Sequence, residues 1–267
     1  MLEAIKQRRL RYPEIFRSSF AVYKQNFYFI LALDLLVFIT WNLIPESMLE
    51  SDFGIIVSLF YSCFVYSAIF IAFSYLVKSN IEENTINYNQ IWDLCWLKIP
   101  KVINVQLCLF PYVFLMIPVS LILVFLLSIF LKLLKIDSFL FGVHGVGLAV
   151  VFFCISMLIM AYLYQYSIYA AIINHKSSYK SLKYSSKLVL NNPWQSLFIL
   201  CISLMGLFGT DYVSSLMINA LLKLGVYYLL LWIFSFKFQM LSSFFLLANI
   251  IGYLNIDYAH QRDTNNT

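Results

Sequence analysis

The sequence predicts an all-α polytopic membrane protein of about six transmembrane helices, arranged as three units that each pair an interfacial helix with a hairpin of two spans. Three observations predict it. Of 267 residues, 62% are hydrophobic and only 12% charged, against about 25% charged and 45–50% apolar in soluble domains. The apolar residues gather in runs of about 20, the length that crosses ~30 Å of hydrocarbon as a helix. A basic amphipathic segment leading into an apolar run occurs twice, as EIFRSSFAVYKQNFYFI at 14–30 and SLKYSSKLVLNNPWQSL at 181–197. Without a gap, Ser18 and Ser19 fall on Ser185 and Ser186, Val22 on Val189 and Phe27 on Trp194.

Residues 1–26 read as a basic arm with an interfacial helix. Pro13 suits a first helical position, and Phe16, Phe20, Tyr23 and Phe27 recur at helical spacing. Residues 27–256 form one transmembrane domain with units at about 14–77, 89–173 and 180–256, and 257–267 form a polar tail. The spans are Phe27–Ile44, Phe53–Val77, Val102 to about Ile122, Val146–Ile173, Gln195 to about Gly209, and Phe238–Ile256. The apolar run from Val102 to Leu131 exceeds an upright crossing, so Pro111 and Pro118 are expected to kink it and fold 119–131 along the outer surface. At twelve residues, Gly225–Phe236 is short for a span and reads as re-entrant or interfacial. A weaker third interfacial copy is Ile91–Pro100, with Trp92, Cys95, Trp96 and Ile99 on one face. In the second span Ser58 with Ser62, and Ala68 with Ala72, are small-xxx-small pairs that let helices approach closely.

Lys and Arg set the orientation. Six lie in the N-terminal arm, three in 78–101, four in 174–193 and one in the tail, fourteen against four on the other face, where the first loop carries Glu46, Glu50 and Asp52. Both termini are therefore expected in the cytoplasm, and the net charge of +5 reports topology rather than nucleic-acid binding. The first apolar run begins at residue 27 and lacks an Ala-x-Ala site, so the N-terminus does not read as a cleavable signal. Five scattered cysteines with no CxxC read as packing residues.

Asn26-Phe27 and the run from Ser181 to Val189 leading to Trp194 resemble segments of two groups. One is the YciC-like family of bacterial inner-membrane proteins, and the other is the membrane domain fused to some glycerophosphodiester phosphodiesterases. The resemblance implies an inner-membrane location and the same helix-elbow-span arrangement. It departs after Pro118, where the family has a Pro-Gly turn and this chain has Val119 and a longer insert to Gly145-Val146-Gly147. No hydrolase domain accompanies it, so no phosphodiesterase activity is implied.

Gly-rich phosphate loops, HExxH, GxSxG and Asp-rich lipid-transferase motifs are missing from the sequence. His144, His175 and His260 are far apart, so no catalytic residue, metal ligand or cofactor is expected. Asp34 lies about 10 Å into the first span, where a carboxylate costs about 2.5–3.5 kcal/mol on insertion scales. It reads either as a functional group or as a structural residue that locks helix packing. Gln165 lies at similar depth, and Tyr162, Tyr166 and Tyr169 share its helical face; together with Asp34 these form an expected intramembrane polar cluster. Aromatic packing is the alternative role for the tyrosines. Lys176, Lys180, Lys183 and Lys187 recur at spacings of 4, 3 and 4 and are expected to contact anionic lipid headgroups. Tyr179, Leu182, Ser186 and Val189 form the neighbouring stripe, expected to sink into the headgroup boundary.

Two functions fit. One is a non-enzymatic inner-membrane protein of envelope or lipid homeostasis, working with membrane lipids, a membrane partner or a second copy. The other is a small permease for a lipidic substrate, favoured by the internal repeat and Asp34. A polar cavity between the repeats favours transport; a filled interior favours the first.

Overall fold

The computed structural model describes residues 2–42, 52–82, 88–133, 143–209, 212–213, 215–217 and 228–265. Glu46, Glu50, Lys135, Lys223 and Gly225, and the side chains of Ser58 and Ser62, lie outside the described residues. The described chain is helical, without strands. Its elements are α1 (Glu3–Gln7), α2 (Tyr12–Gln25), α3 (Phe27–Asn42), α4 (Asp52–Glu82), α5 (Tyr88–Leu133), α6 (Val143–Tyr164) and α7 (Ser167–Ile172). They continue with α8 (Ser178–Asn191), α9 (Pro193–Leu204), a π-helical turn (Met205–Gly209) and α10 (Tyr228–Asn265). Among these, four stretches are long and apolar enough to cross a membrane: Cys63–Glu82, Tyr88–Phe130, Gly147–Ile172 and Gln239–Thr264. The α2–α3 pair makes a fifth if taken as one bent element.

Both expected helix breaks are present, at Asn26 and at Asn192. The α2 and α3 axes bend by 84° about Asn26, whose Nδ2 donates to the Val22 carbonyl at 2.9 Å. Asn192 does the same to Leu188 at 3.1 Å between α8 and α9. Each side chain adds a second bond to the carbonyl that already accepts its own backbone N–H, both at 3.1 Å, while the next helix starts from its backbone oxygen: Ile30 N to Asn26 O and Ser196 N to Asn192 O, both 3.0 Å. The elbows thus equate Asn26 with Asn192, one residue away from the ungapped sequence match, which sets Asn26 on Pro193.

Three boundaries differ from expectation. α5 runs unbroken through Pro100, Pro111 and Pro118, so 91–100 has no elbow and 119–131 does not fold back. At 46 residues it spans ~69 Å, more than twice the hydrocarbon thickness. Its inward face is Ile91, Cys95 and Ile99, and Trp92 and Trp96 point outward. The expected fourth span is broken at Gln165 and Tyr166, between α6 and α7. Finally, Tyr228–Phe236 is the start of α10 rather than a separate re-entrant piece.

α10 is the centre of the bundle, packing against α1, α2, α3, α4, α9 and the π turn. Ile250, Ile251, Tyr253, Leu254 and Ile256 are fully buried on it, and the rings of Tyr166 and Tyr169 each pack tilted against Tyr253 with centroids 5.4 Å apart. Close approach needs glycine: a Cβ at Gly206 would lie 2.7 Å from the Phe245 Cβ. On α4, Ala72 is buried and the Cys95 thiol reaches the Ala68 carbonyl at 3.6 Å, so this small-residue face packs on α5. Phe114, Leu121, Phe125, Val150 and Leu158 of α5 and α6 are exposed, forming a broad apolar outer surface of the kind that faces lipid.

The N-terminal arm and the end of α10 are tied together. Asn255 accepts from Leu10 N at 2.9 Å and donates to the carbonyls of Ile5 and Arg8 at 3.0 and 2.8 Å. Ile5 is fully buried there. Both termini therefore occupy one end of the bundle, and the polar tail continues α10 as helix.

Candidate functional site

A cavity of about 390 Å³ lies among α4, α5, α6, α7, α9, the π turn and α10. Its walls are mainly apolar, including Phe70, Met157, Met160 and Leu246. Polar groups enter from Gln165, Ser203, Gln239, Ser242, Ser243 and Asn249. Apolar walls with a few placed polar groups describe a small-molecule site.

Two backbone irregularities border it. Where α6 ends, Ser185 of α8 accepts from the Tyr166 amide at 3.1 Å and donates to the Leu163 carbonyl at 2.9 Å. One buried hydroxyl replaces the ladder bonds that the break removes. Non-helical backbone at membrane depth needs such replacements. The π turn brings Gly206 to the cavity from the other side. Lys98 closes the far end of α7, donating to the Ile172 carbonyl at 2.9 Å and contacting His175 Nδ1 at 3.0 Å. A cation is favoured at a helix C-terminus. His175 takes the left-handed conformation, φ 53°. Its pKa is lowered by burial first and then by the charges of Lys98, Lys101 and Lys78.

The structure divides the expected polar cluster. Asp34 is buried, and Ser243 donates to its Oδ1 at 2.5 Å. Asp34 therefore pairs with α10, where Gln165 or a tyrosine was expected. The amide of Gln165 donates to the Ser196 carbonyl at 3.0 Å, and Tyr162 donates to the Pro193 carbonyl at 2.9 Å. Tyr166 and Tyr169 are packing groups on Tyr253. Asp34 still borders the cavity indirectly, because Ser243 lines it.

The basic stripe also changes. Lys180, Lys183 and Lys187 are exposed on α8, but Lys176 precedes that helix, and its ammonium sits over the Tyr184 ring at 4.1 Å. Leu182 and Val189 pack into the bundle with Ser181, Ser185 and Leu188, and Ser186 is only half-buried. The apolar face of α8 is thus covered by protein rather than sunk among headgroups. Its large exposed residues are Tyr179 and Leu190.

Sequence reasoning missed Asp257, assigned to the polar tail. It is buried and accepts from Asn174 at 3.0 and 3.1 Å, from Gln261 at 2.9 Å and from the Tyr184 hydroxyl. Burial and this carboxylate raise the Tyr184 pKa. The available signal was Gln261 four residues after Asp257, within reach on a continued helix. Among the described residues no group of three or more His, Cys, Asp or Glu could hold a metal ion. Compared with known proteins, the chain matches no family model, no curated protein and no solved structure.

Proposed function

We propose that this chain is a non-enzymatic integral membrane protein of the bacterial inner membrane that holds a lipidic, amphiphilic molecule between its helices, acting in envelope or lipid homeostasis. The cavity carries this reading: it combines apolar walls with uncharged polar groups, the composition that suits a chain with a small head. Resemblance of the two elbow segments to YciC-like proteins supports the location. A six-span arrangement with both termini cytoplasmic fits the adjacent termini, which require an even number of crossings. It also fits α9 plus the π turn, which at 12 and 5 residues together approach the ~17-residue minimum for a span. Anionic headgroups around Lys180, Lys183 and Lys187, and a membrane partner or second copy, belong to the same reading.

The test is photocrosslinking in native membranes with an uncharged single-chain lipid carrying a diazirine on its hydrocarbon chain. Label is expected on Met157, Met160 and Leu246 in addition to the outer surface of α5 and α6. Label on the outer surface alone would overturn the reading.

Transport is the second reading. The α6–α7 break and the π turn both border the cavity, and discontinuous helices at the binding site are a recurring transporter feature. Under it, Asp34→Asn stops movement of the amphiphile across vesicles while its binding persists.

A further inference from the structure

Two polar side chains on the cavity wall each commit an amide N–H to a neighbour and leave the carbonyl oxygen without a partner. Gln165 gives its NH₂ to the Ser196 carbonyl at 3.0 Å, which leaves Oε1 buried with no hydrogen-bond partner. Asn249 gives its NH₂ to Ser203 Oγ. That hydroxyl already donates to the Ile199 carbonyl at 2.9 Å, so it can only accept from Asn249. Asn249 Oδ1 is then also buried and unpaired, on a residue only 7% exposed. The two amide orientations are thus dictated by their neighbours rather than chosen freely.

An unpaired buried carbonyl is unfavourable, and a hydrogen-bond donor from a cavity occupant would remove that penalty. Both residues line the cavity, and terminal amide torsions lie in broad wells, so either oxygen can turn toward an occupant. The charge of the occupant follows from what is missing: no Lys, Arg, His, Asp or Glu lines the cavity among the described residues. A phosphate or carboxylate head would find no cation on the wall, and an ammonium head no carboxylate on it, Asp34 being set behind Ser243, each at a large desolvation cost. A volume of about 390 Å³ lies near the lower end of ligand pockets, ~300–1,000 Å³, which favours one chain over two.

Building on the proposed amphiphile site, we infer that its occupant is an uncharged, single-chain lipid alcohol whose hydroxyl groups donate to Gln165 and Asn249. The remaining wall, with Phe70, Met157, Met160 and Leu246, takes the hydrocarbon.

The test uses the full chain in phosphatidylcholine nanodiscs and two probes. One is mono-oleoylglycerol with a diazirine in its acyl chain; the other is the same molecule with both hydroxyls methylated. Both fill the cavity, but only the first donates hydrogen bonds. Labelling of cavity peptides should favour the alcohol roughly five- to tenfold, as expected for two intramembrane hydrogen bonds. Gln165→Met and Asn249→Leu should each lower that ratio about two- to threefold, and the double variant should bring it near one. Labelling by the ether should persist in all of them, which also reports that the cavity still forms. If Asn249→Leu loses both labels through misfolding, Gln165→Met, close in shape to the native side chain, decides the ratio. Equal labelling of the wild type by alcohol and ether would overturn the lipid-alcohol inference and leave the cavity reading intact. Cavity labelling by neither probe would overturn both.

Discussion

Ser185 bridges the Tyr166 amide and the Leu163 carbonyl, at 3.1 and 2.9 Å, and so holds a gap in one helix from another helix 19 and 22 residues further along the chain. Ser185→Ala removes both partners at once. It should destabilise the protein by about 1–3 kcal/mol, the penalty for buried backbone groups left unmade. Ser186→Ala, which loses only a bond to the nearby Lys183 carbonyl, should be close to neutral. Thermal unfolding of the two variants in the same detergent checks this, and equal midpoints would remove Ser185 from its bridging role.

Asp34 and Ser243 make the corresponding bond between α3 and α10. Asp34→Asn keeps an acceptor for the Ser243 hydroxyl and should change stability little, since intramembrane hydrogen bonds average ~0.6 kcal/mol. Asp34→Leu should cost more, because Ser243 is left without its acceptor. A double-mutant cycle with Ser243→Ala should give a coupling between about 0.6 and 1.7 kcal/mol; zero coupling would mean that the pair does not hold the two helices together.

Asn255 fastens the N-terminal arm through three backbone groups. Asn255→Leu should expose the bonds after Arg8, Arg9 and Arg11 to trypsin, with cleavage at least tenfold faster, the factor given by ~1.4 kcal/mol. Asn255→Asp keeps the acceptor for Leu10 and loses the donors to Ile5 and Arg8, so it should fall between. Mass mapping of a short digest reads the result.

His175 should give the fold an acid-sensitive contact. Its pKa is lowered from 6.5, so the fold prefers the neutral ring. That contribution is present above pH ~6.5 and is lost as pH falls below it. Protonation would set a second cation against the Lys98 ammonium and remove the acceptor at Nδ1. The melting temperature should fall more steeply between pH 7 and 5 in the wild type than in His175→Gln, which cannot charge. Parallel profiles would contradict this.

Several features were legible in the sequence for local reasons. Each elbow is written as an amphipathic segment, an Asn and an apolar run, all within contact of one another. Proline at the start of α2 and the burial of Asp34 follow equally from nearby residues and the hydrophobic environment. What could not be read depends on distant partners. Nothing at Gln165-Tyr166 breaks a helix by itself; the break is held by Ser185 on another helix. The cost of Asp34 was readable, but its partner is 209 residues away. α5 runs through three prolines because freed backbone groups in apolar helices can be re-satisfied locally, a tolerance that rules drawn from soluble helices do not anticipate. The Leu182 and Val189 face of α8 looks lipid-facing in sequence because amphipathicity is the same whether lipid or protein covers it.

Native mass spectrometry of the chain released from its own membranes with lipid retained reads whether the cavity holds an amphiphile. Ala161→Trp fills the cavity from its rim, where Ala161 is exposed. The wild type should carry one uncharged adduct per chain that survives gentle activation, and Ala161→Trp should lack it while keeping the loosely bound anionic lipids. An identical adduct pattern in the two proteins would mean that the cavity holds no amphiphile.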